Sequence, residues 1–185
     1  MHSYNDYLKE ILISETELQQ RISQLGAEIS RDFASSSGLL LVCILRGGVM
    51  FLVDLIRQIT VPHAIDFMAI SSYGVGTRKS GGAVRISMDL TTSITGRDVI
   101  IVEDIIDSGR TLSSVLQLLS TREPASLSVC TLLDKAERRE VQVPVRYRGF
   151  IIPDKFVFGY GLDLDEYHRN LPFIGVVDLA KYDID

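Results

Sequence analysis

Residues 39–45 form an unbroken run of seven apolar side chains, Leu-Leu-Leu-Val-Cys-Ile-Leu. A strand with one solvent-exposed face alternates apolar and polar residues, whereas a strand that is covered on both faces has a continuous apolar sequence. The run is too short to cross a bilayer as a helix, which takes about 20 apolar residues. It therefore predicts a buried strand in a sheet with helices on both sides, the arrangement of α/β proteins.

The segment before this run has the pattern of an amphipathic helix. Ser14 and Glu17 have the spacing of a capping box, in which each side chain accepts a hydrogen bond from the other residue's backbone N–H. Apolar residues then recur three or four positions apart, at Leu18, Ile22, Leu25, Ile29 and Phe33. This spacing places them on one helix face, and residues 35–38 (Ser-Ser-Ser-Gly) end the pattern.

Strand-like and helix-like segments alternate through most of the remaining chain. Two further helices and four further strands are predicted, the helices at about 49–59 and 112–119 and the strands at 64–70, 84–90, 99–102 and 126–133. This alternation predicts a mostly parallel central sheet flanked by helices. Residues 71–83 have no periodic apolar face and are rich in Gly and Ser, which predicts a mobile loop.

The chain, residues 1–185, is predicted to form one domain, because its length suits a single core and no repeat or linker divides it. Its 46% hydrophobic and 23% charged residues exclude a disordered chain. The core is expected at about residues 36–140. The tail from residue 148 onward breaks the strand–helix rhythm with several Gly and Pro residues. We expect this tail and residues 1–13 to form a small hood, or lid, beside the core.

The charge and the cysteines restrict the possible partners and location. A net charge of −5 and a pI of about 5.2 provide no bulk attraction to nucleic acid or to an anionic membrane. Cys43 and Cys130 lie inside apolar runs, which predicts buried, reduced thiols. The first residues lack the basic and apolar regions of a secretion signal. We therefore expect a cytoplasmic protein without nucleic-acid or membrane partners.

The strongest candidate site follows the most strand-like stretch, residues 99–102. Residues 103–111 read Glu-Asp-Ile-Ile-Asp-Ser-Gly-Arg-Thr, and ligands of open α/β sheets bind at the carboxyl ends of strands. The backbone N–H groups, hydroxyls, glycine and helix N-terminus of residues 107–111 suit a phosphate monoester. Glu103 and Asp104 can accept hydrogen bonds from vicinal sugar hydroxyls, directly or through a cation. The segment predicts a ribose 5-phosphate site; the alternative is an ordinary turn whose acids cap the helix and face water.

Competing phosphate and metal motifs are absent from the sequence. It contains no G-x-x-x-x-G-K-[ST] segment, and residues 74–79 have lysine where a dinucleotide fingerprint needs its third glycine. His2, His63 and His168 are scattered and lack the spacing of zinc ligands. The acidic segment at residues 103–111 therefore has no rival among common phosphate motifs.

Residues 102–112 (Val-Glu-Asp-Ile-Ile-Asp-Ser-Gly-Arg-Thr-Leu) resemble the phosphoribosyl-pyrophosphate motif of type I phosphoribosyltransferases. Four further segments resemble the hypoxanthine-guanine members of that family, namely residues 45–48 (Leu-Arg-Gly-Gly), 71–74 (Ser-Ser-Tyr-Gly), 133–135 (Leu-Asp-Lys) and 156–163 (Phe-Val-Phe-Gly-Tyr-Gly-Leu-Asp) continuing to Arg169. The resemblance spans about residues 8–178. The chain departs from some relatives at Arg110, at Phe158 and in residues 74–83.

The resemblance implies a type I phosphoribosyltransferase fold and a role for each matched segment. The phosphoribosyl group would be bound by Glu103, Asp104, Asp107, Ser108, Gly109, Arg110 and Thr111. Pyrophosphate would be bound by Leu45, Arg46, Gly47 and Arg169, in a loop often built around a cis peptide. A flexible loop that closes over the site would contain Ser72 and Tyr73. The purine would contact Lys135, Phe156, Val157 and Asp163, and magnesium would be bound by Glu103, Asp104 and Asp163.

The implied reaction is magnesium-dependent purine salvage. The 5-phosphoribosyl group of phosphoribosyl pyrophosphate would pass to hypoxanthine and/or guanine, giving IMP or GMP and pyrophosphate, with Asp107 as the catalytic base near N7. The ammonium group of Lys135 only donates hydrogen bonds, so it favours a 6-oxopurine over adenine. A xanthine-accepting enzyme and a non-catalytic regulator that senses phosphoribosyl pyrophosphate on the same fold are the alternatives. The resemblance also implies a homodimer or homotetramer.

Overall fold

The computed structural model describes residues 3–72 and 84–182. The three α-helices within these ranges are α1 (Glu15–Asp32), α2 (Val49–Gln58) and α3 (Arg110–Ser120). The nine strands within them are β1 (Leu8–Ile13), β2 (Leu39–Leu45), β3 (His63–Ser72), β4 (Val84–Met88), β5 (Asp98–Ile106), β6 (Ser126–Asp134), β7 (Val145–Ile151), β8 (Val157–Phe158) and β9 (Ile174–Val177). Short 3-10 helices occur at Tyr4–Asp6 and Ala136–Arg138.

Six strands form the central sheet, in the order β4-β3-β2-β5-β6-β7. Neighbouring strands from β3 to β7 are parallel, and β4 at the edge is antiparallel to β3. Parallel neighbours need a crossover of a dozen or more residues, and fewer than that separate β3 from β4. The prediction of a mostly parallel, helix-flanked sheet is confirmed.

The two faces of the sheet explain the unbroken apolar sequence of β2. Leu41 and Cys43 pack in one core cluster with residues of α1 and α2. Leu40 and Val42 pack in a second cluster with residues of α3. Because successive strand residues point to opposite faces, a sheet covered by helices on both sides requires apolar residues at every position.

Helix α1 begins at the predicted capping box. The Ser14 N–H donates to the Glu17 carboxylate at 2.9 Å, and the Glu17 N–H donates to Ser14 Oγ at 3.4 Å. All five apolar residues of the predicted stripe are buried, and Phe33 is the C-cap. The helix and its buried face are therefore confirmed.

The terminal segments form a second, antiparallel sheet in the order β1-β9-β8. Beside it lies a small apolar cluster that contains Phe158, Leu164, Leu171 and Val177. Phe158 is fully buried, and a Cβ atom at Gly175 would lie 3.0 Å from its ring. The hood therefore accommodates the bulk of Phe158 in its own core, with Gly175 leaving the space.

Strand β5 is longer than the sequence pattern predicts. It continues to Ile106, so Glu103 and Asp104 lie inside the strand rather than after it. Val102 and Ile105 both pack with the cluster under α1 and α2, so the alternation of faces shifts by one residue between them. The sequence pattern places the end of the strand before these carboxylates, because charged side chains are rarely buried inside a strand.

None of the helices in the described ranges is long and apolar enough to cross a membrane. Cys43 and Cys130 are fully buried free thiols, as their positions in apolar runs predict. Burial, with a smaller contribution from the nearby carboxylates Glu103 and Asp104, raises the pKa of Cys43 to about 12. The thiolate that a nucleophile requires is therefore disfavoured at Cys43.

Candidate active site

Residues 45–48 connect β2 to α2 at the carboxyl edge of the central sheet. The Leu45–Arg46 peptide bond is cis, as the resemblance implies for this loop. Arg46 is exposed, and its Nη2 atom lies 2.7 Å from Glu166 Oε1 in the hood. Gly47 is buried, and a Cβ atom at this position would lie 1.5 Å from Asp104 Oδ2. Only glycine lets this loop approach the acidic end of β5.

Burial raises the pKa of both acidic residues in β5. Glu103 is 8% exposed, and its removal from water, together with the negative charge of Asp104, holds its pKa well above the usual range. Burial raises the pKa of Asp104 to about 6, although backbone hydrogen bonds and the positive charge of Arg169 oppose the rise. Within the described residues neither carboxylate has a salt bridge. Two adjacent, uncompensated carboxylates favour binding of a cation or of hydroxyl donors.

The hood reaches the same edge of the sheet through residues 159–169. A Cβ atom at Gly161 would lie 2.0 Å from the Gly47 carbonyl oxygen, so the two glycines are in close contact. Arg169 Nη1 donates to the Gly161 carbonyl at 2.9 Å, and Arg169 Nη2 lies 3.0 Å from Asp163 Oδ1. Arg169 and Asp163 are near enough to Asp104 to shift its pKa in opposite directions. The structure thus brings together the predicted pyrophosphate and metal residues.

Residues 107–111 form the turn from β5 into α3, as the sequence predicts. Gly109 adopts φ +82 as the N-cap of α3 and has no side chain to cap the helix, while the Arg110 N–H donates to Ser108 Oγ at 3.4 Å. The positive end of the helix dipole at this turn favours an anion. The Ser108 carbonyl accepts hydrogen bonds from Glu140 N and Val141 N at 2.9 and 3.0 Å. Arg110 donates from Nε to Glu140 Oε2 at 2.6 Å, so its charge is already paired.

Lys135 lies next to this turn. Its backbone N–H donates to the Ile106 carbonyl at 3.0 Å, and its buried ammonium lies 3.3 Å from Asp154 Oδ1. Arg138 joins the two acids, with Nη1 3.4 Å from Asp154 Oδ1 and Nε 3.0 Å from Asp107 Oδ1. These four side chains therefore provide one ammonium donor, from Lys135, and two carboxylates, from Asp107 and Asp154, that are joined by the Arg138 guanidinium.

Phe156 is 43% exposed, so it is not a core residue even though it lies in an apolar segment. The next residue, Val157, is buried and belongs to β8. Of the predicted flexible loop, Ser72 is the last residue of β3, and Tyr73 lies outside the described residues.

A cavity of about 670 Å³ lies in the hood. Its walls consist largely of aromatic residues, together with Asp165 and Asn170; the aromatic ones are Tyr4, Tyr7, Tyr167, His168 and Tyr182. None of the predicted site residues lines it. The candidate site is therefore the open edge described above rather than this cavity.

The acidic residues of this edge fit a magnesium ion that is shared with a phosphorylated ligand. Within residues 3–72 and 84–182, no three His, Cys, Asp or Glu side chains form a site that could bind an ion unaided. Magnesium commonly takes only one or two protein carboxylates, with phosphates and waters as its other ligands. Glu103 and Asp104, buried without a counter-ion, and the nearby Asp163 are suitable donors for such an ion.

Three charged residues of the site are absent from the sequence-based prediction. Arg138 contacts Asp107, Asp154 contacts Lys135, and Glu166 contacts Arg46 and Arg169. Arg138 belongs to the charged run at residues 134–139, which has the pattern of a solvated surface. Nothing in the local sequence distinguishes Asp154 or Glu166 from ordinary surface acids.

Comparisons with known proteins agree with this geometry. Residues 10–166 match the family described as phosphoribosyl transferase domain. A hypoxanthine phosphoribosyltransferase of Salmonella typhimurium is 52% identical over 171 residues, covering 92% of this chain and 96% of that protein. A hypoxanthine-guanine phosphoribosyltransferase of Mycobacterium avium is 50% identical over 184 residues, covering 97% of this chain and 90% of that protein. A crystal structure of a Staphylococcus aureus hypoxanthine phosphoribosyltransferase superimposes with a TM-score of 0.92 at 45% identity, covering 99% of both chains.

The chain therefore belongs to the phosphoribosyltransferase family. Within that family it belongs with the hypoxanthine and hypoxanthine-guanine phosphoribosyltransferases, and it is an enzyme of that type.

Proposed function

We propose that this enzyme transfers the 5-phosphoribosyl group of phosphoribosyl pyrophosphate to a 6-oxopurine, hypoxanthine and/or guanine, and releases pyrophosphate. The products would be IMP or GMP. The relatives named for hypoxanthine and guanine support this substrate class. The cluster at the carboxyl edge of the sheet supports the same assignment through its chemistry.

One observation carries the proposal: the phosphate turn and the lysine proposed to contact the base belong to one connected group of side chains. Asp107, Arg138, Asp154 and Lys135 are linked by contacts of 3.0–3.4 Å. A ribose phosphate at residues 107–111 would therefore place a base joined to its anomeric carbon within reach of the ammonium group of Lys135. A flat base with an oxygen at position 6 would accept a hydrogen bond from that ammonium, whereas the amino group of adenine would not.

In the proposed reaction, N9 of the base attacks C1′ of the ribose as the bond from C1′ to pyrophosphate breaks. Pyrophosphate leaves with the bonding electrons, and Asp107 accepts the proton that the purine loses. Exposed Phe156 would stack on the base, with Val157 backbone groups at the purine edge. Arg46 and Arg169 would stabilise the leaving group, with Leu45 and Gly47 supplying the loop backbone.

Magnesium would supply positive charge to the departing pyrophosphate. Glu103, Asp104 and Asp163 are the residues that would hold it, and Glu103 and Asp104 could also accept hydrogen bonds from the ribose hydroxyls. Ser108, Gly109, Arg110 and Thr111 would surround the 5′-phosphate. Ser72 and Tyr73, by the family resemblance, would belong to a loop that closes over the site and excludes water. We also propose a homodimer or homotetramer, on the family resemblance, and a cytoplasmic location, which the buried free cysteines support.

An ultraviolet assay of hypoxanthine, guanine, xanthine and adenine with phosphoribosyl pyrophosphate, with and without magnesium, tests the proposal. We expect turnover of hypoxanthine or guanine only when magnesium is present. Xanthine also has an oxygen at position 6, and the assay ranks it against the other two. Turnover of adenine but not hypoxanthine would overturn the base assignment, and binding of phosphoribosyl pyrophosphate without any turnover would favour the regulator.

Asp107→Asn tests the catalytic base. A positioned general base contributes about 10²–10⁴ in rate, so turnover should fall by that factor while IMP binding, measured by calorimetry, survives. Unchanged turnover would remove Asp107 from the mechanism.

A further inference from the structure

The phosphate turn obtains little positive charge from its own arginine. Arg110 forms a salt bridge with Glu140, and the two side chains are 56% and 52% exposed. A solvated, paired guanidinium contributes weakly to the binding of an anion. If the turn binds the 5′-phosphate of the substrate, as proposed above, another group must compensate the two negative charges of that phosphate.

Arg139 is a buried guanidinium directly behind this turn. Its side chain is 8% exposed, and its Nη2 atom forms a salt bridge with Asp134. A Cβ atom at Gly109, the N-cap of α3, would lie 3.1 Å from both Nη1 and Cδ of Arg139. Arg139 therefore packs against the backbone at the centre of the phosphate turn.

The Nη1 atom of Arg139 is buried and has no hydrogen-bond partner within the described residues. A buried N–H without an acceptor is costly, and most are satisfied in native structures. This unsatisfied donor, packed against Gly109, leaves positive charge next to a turn suited to phosphate.

The charges around Arg139 leave an excess of positive charge. Asp134, which is 1% exposed, also accepts a salt bridge from Arg148 Nε at 2.7 Å. One buried carboxylate is thus shared by two guanidinium groups, and arginine keeps its charge when buried. The other charged groups beside the turn are themselves paired, Arg110 with Glu140 and Arg138 with Asp107.

We propose that Arg139 is a positioning residue for the 5′-phosphate. Its buried charge lies behind Gly109 and adds to the field of the α3 N-terminus, so it stabilises the phosphate-bound shape of residues 107–111 without contacting the base. Asp134 holds the guanidinium in place. The inference rests on the proposed function, because that function supplies the phosphate.

Calorimetry with IMP and inosine, which differ only in the 5′-phosphate, measures the contribution of Arg139. We expect Arg139→Gln to weaken IMP binding by about 10- to 100-fold, the range for loss of a charged interaction, and to leave inosine binding unchanged. Arg148→Gln is the matched control, because it removes the other guanidinium from Asp134 at a distance from the turn, and its ratio of IMP to inosine affinity should stay within threefold of wild type.

Equal loss of that ratio in Arg139→Gln and Arg148→Gln would overturn the inference, because it would reduce Arg139 to a counter-ion of Asp134. An unchanged ratio in Arg139→Gln would also overturn it. Arg139→Lys keeps the positive charge, so its ratio of IMP to inosine affinity should stay within threefold of wild type. This variant tests the inference even if Arg139→Gln fails to fold. If Arg139→Lys bound IMP no better than inosine, the inference would be contradicted. A wild-type protein that binds IMP no better than inosine would instead contradict the proposed function.

Discussion

The close approach of Gly47 to Asp104 makes residue 47 a sensitive test of the active site. In Gly47→Ala the new methyl carbon would lie 1.5 Å from Asp104 Oδ2 and 2.6 Å from Asp104 Cγ. Ordinary van der Waals contact begins at 3.4 Å, so the methyl carbon and the oxygen must separate by roughly 1.9 Å. Either Asp104 turns away or residues 45–48 move. Since a 1 Å misplacement in a reacting site can cost about 10²-fold, we expect kcat/KM for phosphoribosyl pyrophosphate to fall at least about 100-fold.

The ultraviolet assay and a thermal melt measure this effect together. Gly38→Ala is the control, because its Cβ atom would meet only the flexible side chain of Arg97, at 3.6 Å or more. We expect wild-type activity and melting temperature for Gly38→Ala, and a folded but nearly inactive Gly47→Ala. Activity of Gly47→Ala within threefold of wild type would refute the contact between the two segments and the site built on it.

The remaining predictions concern stability. Burial raises the pKa of Asp104 from 3.8 to about 6, so the metal-free protein should lose stability as the pH rises from about 4 to 6. Asp104→Asn should remove the part of this loss that Asp104 causes, leave the part that buried Glu103 causes, and be roughly 3 kcal/mol more stable at pH 8, by urea unfolding with a chelator. At the other end of β5, hydrogen bonds from Ser126 and Ser36 lower the pKa of Asp98, so Asp98→Asn should destabilise the protein at pH 8, and the difference should shrink as the pH falls below about 4. Ser14→Ala removes the α1 cap and should cost about 1 kcal/mol, or about 2–4 °C in a thermal melt. The same sign for Asp104→Asn and Asp98→Asn at pH 8, or an unchanged melt for Ser14→Ala, would contradict these expectations.

Features that depend on neighbouring residues could be predicted from the sequence. The cap of α1 lies three residues from its partner, and the apolar runs of β2 and β5 follow from the burial of both sheet faces. The position of residues 107–111 at a strand-to-helix turn has the same local origin. Contacts between distant parts of the chain could not be predicted in this way, because a single sequence contains no measure of which surface charges will meet.

Arg110 and Phe158 illustrate the difference. The sequence places Arg110 in the phosphate motif, but only the fold brings Glu140 to its guanidinium. The sequence shows Phe158 only as a departure from some relatives, but in the structure it is fully buried in the hood beside Gly175. The roles of the individual site residues and the assignment of residues 1–185 to one domain stay predictions.

The alternation of helices and strands from α1 to β6, the buried character of the central strands and the chemistry of the acidic turn were all determined by the sequence itself, because each depends on spacing within about ten residues. The tertiary structure alone decided that the backbone of Gly47 meets the Asp104 side chain and the backbone of Gly161, and that Asp107 and Lys135 share one charged network. Packing explains this division: close backbone approach and burial of charge arise only when segments far apart in the chain occupy the same small volume.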